Sequence, residues 1–233
     1  MFDIEHLTLE QVIFEVRYEH AFLYWDNCGK IFNDILKGWP KAQVDFVSLE
    51  EARIVLKEED MTLLLGPQKI SFIQFYPANI SPIGEFADFS LNIIVKYLDL
   101  GIFTRLGNRF LYMNKLENTD EAVTLLNRAG ILNISSDKIA RIGNTLKSPG
   151  VKFTITREDG TGYNFNLAQI GRKLEIQVPK PVKYDMSRFI TNGLLMDVDF
   201  HTLKPVEYGN VKCLELIKKN KKDIEYILKE LFR

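Results

Sequence analysis

The sequence predicts an α+β fold in which two β-α-β-β-β-α-like halves form one curved, mostly antiparallel sheet with helices on one face. Three observations carry this reading. Apolar residues alternate at a period of two in several short runs. Between those runs the apolar spacing turns helical, with caps and breakers at the ends. The order of the two patterns recurs in each half of the chain.

The first strand is read at 11–19, where Val12, Phe14, Val16 and Tyr18 alternate with Ile13, Glu15 and Arg17. From Phe22 the spacing of Trp25, Cys28, Phe32, Ile35 and Leu36 is helical and stops at Gly38 and Pro40. On this spacing Phe22 and Trp25 face the core and Tyr24 faces out. Strand-like runs follow at 52–59, 61–66 and 69–76, with Gly66 and Pro67 supplying turn chemistry before the last. A second helix fits 82–101, with Pro82 near its start and Gly101 just past its end.

The second half opens with a strand at 102–114. A short helix at 119–130 takes Thr119 or Asp120 as its N-cap and Gly130 as its stop. Another at 135–146 is capped by Ser136 or Asp137. Runs at 151–158, 163–170 and 173–179 alternate like antiparallel strands, with a turn at 158–162 and a second turn beginning at Gly171. The prolines of 178–188 favour an extended, exposed loop. A strand at 193–203 and a long helix at 211–232 close the chain, the helix carrying Leu214, Ile217, Ile224, Leu228, Leu231 and Phe232 on one face. No residue-level repeat links the halves, and no Pro/Gly/Ser-rich linker divides them, so 1–233 is expected to be one domain with halves 1–101 and 102–233.

Composition narrows the function classes. At 233 residues the chain can bury a core without staples. Its net charge of −1 lacks the basic footprint of a nucleic-acid-binding domain. Cys28 and Cys213 lie far apart inside helical patterns and read as reduced, buried thiols of a cytoplasmic protein. No apolar run approaches the ~20 residues of a membrane span. No phosphate-binding loop, nucleophile elbow or dinucleotide fingerprint occurs, and no cofactor is expected.

Two strands carry unexpected charge. Glu15 and Arg17 share one face of the first strand, and Arg105, Gly107 and Arg109 share one face of the central strand. A cross-strand ion-pair ladder explains such a face. So does an anion site, since guanidinium forks suit phosphate or carboxylate and Gly107 leaves room beside the backbone. The Glu15-x-Arg17-x-Glu19 pattern differs from the E-x-E-x-K strand of triphosphate hydrolases, because its central cation would repel the catalytic metal. Asp197, Asp199 and His201 share a strand face and form the one weak candidate for a metal.

The stretch Gln11-Val12-Ile13-Phe14-Glu15-Val16-Arg17 and the later Arg105-Leu106-Gly107-Asn108-Arg109-Phe110-Leu111-Tyr112 resemble two motifs of a sporadically distributed prokaryotic family with no assigned activity. Its members open near V-x-F-E-I-R and later carry R-x-G-x-R-Y-x-N. Here Tyr112 stands in the place of the final Asn. The resemblance implies a shared fold over nearly the whole chain and no particular chemistry.

With no catalytic constellation in the sequence, the expected function is a non-enzymatic binding or interaction protein. A regulatory, antitoxin-like or immunity-like role fits a sporadic distribution. A protein partner or self-association is expected. The alternative is a small anionic, phosphorylated ligand, bound or acted on at Arg17, Arg105 and Arg109.

Overall fold

The computed structural model of the chain describes residues 6–143, 146, 148–173 and 190–233. The first half runs β1 (Thr8–Arg17), α1 (Leu23–Gly38), β2 (Gln43–Val47), β3 (Ala52–Leu56), β4 (Met61–Leu65), β5 (Lys69–Phe75) and α2 (Ser81–Leu98). The second runs β6 (Ile102–Phe103), β7 (Arg105–Leu116), α3 (Thr119–Arg128), α4 (Ser136–Ile142), β8 (Gly150–Thr156), β9 (Thr161–Lys173), β10 (Ile190–Thr202), β11 (Val206–Glu207) and α5 (Cys213–Leu231).

Among the described residues nine strands form one sheet in the order β2-β3-β4-β5-β1-β7-β10-β9-β8. Every neighbouring pair is antiparallel. The α+β class and the antiparallel sheet are as the sequence predicts. β1 and β7, the charged strands, lie side by side at the centre. From that seam each half steps outward in matching order, through β5, β4 and β3 on one side and β10, β9 and β8 on the other. β6 and β11 pair apart as a two-stranded ribbon.

Alternation decides which face is buried. Val12, Phe14 and Val16 of β1, Phe110 and Tyr112 of β7, and Met196, Val198 and Phe200 of β10 point to one side. There they join one apolar cluster with Tyr24, Ile31 and Ile35 of α1, Phe86 and Ile94 of α2, and Ile217, Ile224 and Leu228 of α5. Each such side chain contributes about 1.5–3 kcal/mol by leaving water. α2 and α5 meet closely: a Cβ on Gly84 would stand 2.6 Å from Leu214 Cδ1 and 2.7 Å from its Cα. The Asp88 carboxylate of α2 caps α5, accepting from the N–H groups of Cys213 at 2.7 Å and Leu214 at 3.2 Å. No helix among the described residues is long and apolar enough to cross a membrane.

Several local expectations are corrected. Tyr24 is 1% exposed, whereas Phe22 is 72% and Trp25 44% exposed. The inward stripe of α1 is Tyr24, Cys28, Ile31, Phe32 and Ile35, and Phe22 precedes the helix. The N-caps of α3 and α4 are Asn118 and Ser135, whose side chains accept from the Glu121 and Lys138 N–H groups. Each cap lies one residue before the first expected candidate, because a capping side chain reaches the N–H three residues on. Gly171 opens no turn; it lies inside β9, opposite Asn192. β2 was not foreseen: all five of its residues are exposed and its register shifts between Val44 and Phe46, which erases the alternation. Most of the run at 173–179 and all of the loop at 178–188 lie outside the described residues.

Candidate functional site

The sheet face opposite α1, α2 and α5 carries the charged residues of the sequence reading, and cross-strand register brings them into ranks. Glu15 stands opposite Gly107, and Gly107 opposite His201. Ile13 stands opposite Arg109, and Arg109 opposite Asp199. Asp199 faces Asn164, which faces Thr154. Asp197 faces Asn166, which faces Lys152. The result is an open cleft of about 600 Å³.

Its charges pair internally. Arg109 makes a two-pronged contact with Asp197, Nε to Oδ1 at 2.7 Å and Nη2 to Oδ2 at 2.6 Å. Arg105 Nη2 donates to Asp199 Oδ2 at 2.7 Å, and Asn164 Nδ2 donates to the same oxygen at 3.2 Å. Arg17 Nε donates to Glu15 Oε1 at 2.7 Å, while the other Glu15 oxygen accepts from Ser71 Oγ at 3.2 Å. The bonds that Arg109 donates to Asp197 hold its guanidinium above the ordinary pKa against the opposing effect of burial.

β10 balances the charge of β1 and β7. Glu15 alone against three arginines leaves positive charge in excess. Asp197 and Asp199 bring the carboxylates to three, so each guanidinium has one. Lys152 is a fourth cation in the cleft. Gly107 also has a different local part. Register places Arg105 two ranks from Asp199, and the space over Gly107 lets them meet. Asp199 Oδ1 lies 3.6 Å from where a Cβ on Gly107 would stand.

The Asp197–Asp199–His201 trio is positioned for this ladder. Both Asp197 oxygens accept from Arg109, and His201 Nδ1 is 3.9 Å from Asp199 Oδ2. No group of three His, Cys, Asp or Glu side chains among the described residues converges as a metal site. A cation here would first have to displace an arginine.

A second cavity of about 590 Å³ adjoins the end of β1, lined by Arg17, His20, Trp25, Glu50 and Lys69 among others. Arg17 lines both cavities. Helical spacing with Phe22 predicts Trp25 in the core, and no local pattern marks Lys69, whose relation to Arg17 exists only through β1–β5 register.

A scan of protein-family models and a search of curated proteins each find no match to this chain.

Proposed function

We propose that this chain is a non-enzymatic interaction protein that holds a charged segment of a protein partner across the open face of the sheet. The observation that carries the reading is the cleft itself, in which three guanidiniums and three carboxylates are already matched and remain partly open to water. The two more open pairs, Arg17–Glu15 and Arg105–Asp199, contribute less than about 1 kcal/mol each, so a partner with charges of both signs exchanges them at little cost. Asn164, Asn166 and Thr154 add donors and acceptors beside them. Every carboxylate among the described residues of the cleft is committed to a guanidinium, an arrangement that suits recognition better than proton transfer. The alternative, an anionic ligand on Arg105 and Arg109, would first have to displace Asp199 and Asp197.

The test is a photo-crosslinking residue placed at Asn166 in the cleft and, as a control, at Tyr226, which is exposed on α5. A discrete protein adduct formed in native cells from position 166 and not from 226 supports the proposal, and its mass tells another protein from a second copy. No adduct at 166, or the same adducts at both positions, refutes it.

A further inference from the structure

A row of like charges crosses the centre of the sheet. Lys69 of β5 stands directly opposite Arg17 of β1, which in turn stands directly opposite Arg105 of β7. Directly opposed side chains have Cβ atoms about 5 Å apart, and like charges so placed destabilise the sheet. Arg17 and Arg105 are relieved by Glu15 and Asp199. Lys69 has no carboxylate partner among the described residues. The row therefore ends in an unmatched cation that shares a cavity with Arg17.

The same cavity has an aromatic wall. The rings of His20 and Trp25 lie 5.3 Å apart, and Phe22 packs on both at 4.7 and 6.0 Å. Trp25 Nε1 donates to the Leu49 carbonyl at 3.0 Å, which fixes the indole and uses its one polar group. His20 Nδ1 is buried with no hydrogen-bond partner among the described residues.

The frame around the cavity is tied in place. The Pro67 carbonyl accepts from Ala21 N–H at 2.8 Å and the Gln68 carbonyl from Tyr18 N–H at 3.1 Å. The Tyr18 hydroxyl donates to the Gly66 carbonyl at 2.5 Å. A Cβ on Gly66 would stand 2.9 Å from the Glu50 carbonyl oxygen, so the β4–β5 turn rests directly on the β2–β3 loop. The backbone that carries Arg17, Lys69 and the rings is thus tied in place before any ligand arrives.

We propose that this cavity binds a phosphate group attached to a flat aromatic ring, of which a nucleoside monophosphate is the simplest example. Lys69 and Arg17 take the phosphate, Arg17 with the unused donors of its guanidinium. Trp25 and His20 take the ring by stacking. Glu50, also in the lining, accepts from a ligand hydroxyl or amino group. Arg17 is already paired with Glu15, so the unmatched charge of the described lining is that of Lys69, which suits a single phosphate better than a polyphosphate. Among the described lining residues the site shares only Arg17 with the partner cleft, and it stands without that cleft.

The chain has two tryptophans, and Trp39 packs against Phe86 at 5.0 Å, outside this cavity. Fluorescence therefore reports on the site. The intact protein is titrated with AMP, GMP, CMP and UMP, with adenosine and inorganic phosphate as halves of the ligand. At least one monophosphate is expected to quench the emission more tightly than either half binds, and Trp25→Phe to abolish the quench. Lys69→Gln, at an exposed position and relieved of the opposed charge, is expected to melt no lower than the wild type and to bind the monophosphate about tenfold more weakly. Absence of quenching by every monophosphate, or equal affinities for wild type and Lys69→Gln, overturns the proposal. A short single-stranded oligonucleotide separates the two sources of this chemistry. Tighter binding that falls steeply with salt assigns the site to a nucleic-acid strand, and binding no tighter than the monophosphate assigns it to the free nucleotide.

Discussion

Replacing Arg109 by Met breaks the ladder at its most unequal pair. The Asp197 side chain is 11% exposed, while that of Arg109 is 47% exposed. Loss of Arg109 removes both donors and leaves a nearly buried carboxylate unpaired, whereas loss of Asp197 leaves a guanidinium that water reaches. Stranding a buried acceptor costs about 1–3 kcal/mol, more if charged, and the half-exposed partner argues for the middle of that range. We expect about 2 kcal/mol for Arg109→Met, or a Tm lowered by about 4–8 °C in a chain of this length. Asp197→Asn should cost below about 1 kcal/mol, and Arg109→Met/Asp197→Asn, which no longer strands a charge, should recover most of the loss. Urea unfolding at constant m gives the three values and the coupling between the sites. Asp197 raises the Arg109 pKa, so the guanidinium's share of stability is complete below the ordinary arginine value. It is lost only as pH rises through the higher folded value, and is flat across the working range. If Asp197→Asn costs as much as Arg109→Met, or if the double variant equals the sum of the singles, unequal burial does not govern this ladder.

Two glycines should respond unequally to alanine. Gly84→Ala drives a methyl to 2.7 Å from the Leu214 Cα and should cost about 1–3 kcal/mol, whereas the nearest atom at Gly107 is 3.5 Å away and Gly107→Ala should melt within a degree or two of wild type. Removing the cap with Asp88→Ala frees two N–H groups of α5 and should cost about 1–2 kcal/mol by urea unfolding, and an unchanged midpoint contradicts the capping role. Burial raises the pKa of the Cys28 and Cys213 thiols and of the Tyr18 and Tyr112 hydroxyls, with neighbouring acids adding to the shift at Cys213 and Tyr112. The fold favours their neutral forms, so this stability is complete below the ordinary values near 9 and 10 and falls as pH rises past them, by about 1.4 kcal/mol per unit for each group until its raised value is reached. Thermal melting should show a steady alkaline decline, less steep in Cys213→Ala; a Tm that stays level from about pH 8 to 10.5 contradicts the assignment.

What could be read before the fold was known followed from local pattern. The alternation of Val12, Phe14 and Val16 gave β1, and the helical spacing of Ile217, Ile224 and Leu228 gave α5. Local pattern failed where a residue is placed by distant contact. Trp25 has helical spacing with Phe22, yet it leaves the core stripe to bond the Leu49 carbonyl. Asn220 sits in the buried stripe of α5, where an apolar residue is expected. At the site, the arginines were legible as a shared face because alternation is local. Their counter-ions were not, because Asp197 and Asp199 become neighbours of Arg109 and Arg105 only through the β7–β10 register. Lys69 was hidden for the same reason.

The seam between β1 and β7 has a consequence for synthesis. When 1–101 has left the ribosome, β2-β3-β4-β5-β1 has every strand it needs, but the outer edge of β1 still waits for β7. An open edge at the middle of a future sheet is a template for any strand nearby, including the β1 of a chain growing on the same message. Two copies of β1 laid antiparallel about Val16 would even match Glu15 with Arg17. Only the short turn after α2, with Asp99 left-handed at φ 52, separates that helix from β6 and then β7. The tether gives the chain's own strand an effective concentration in the millimolar range, which a neighbouring ribosome's product does not reach. Covalent order along the chain, more than the seam's own chemistry, thus keeps the two halves of one molecule together.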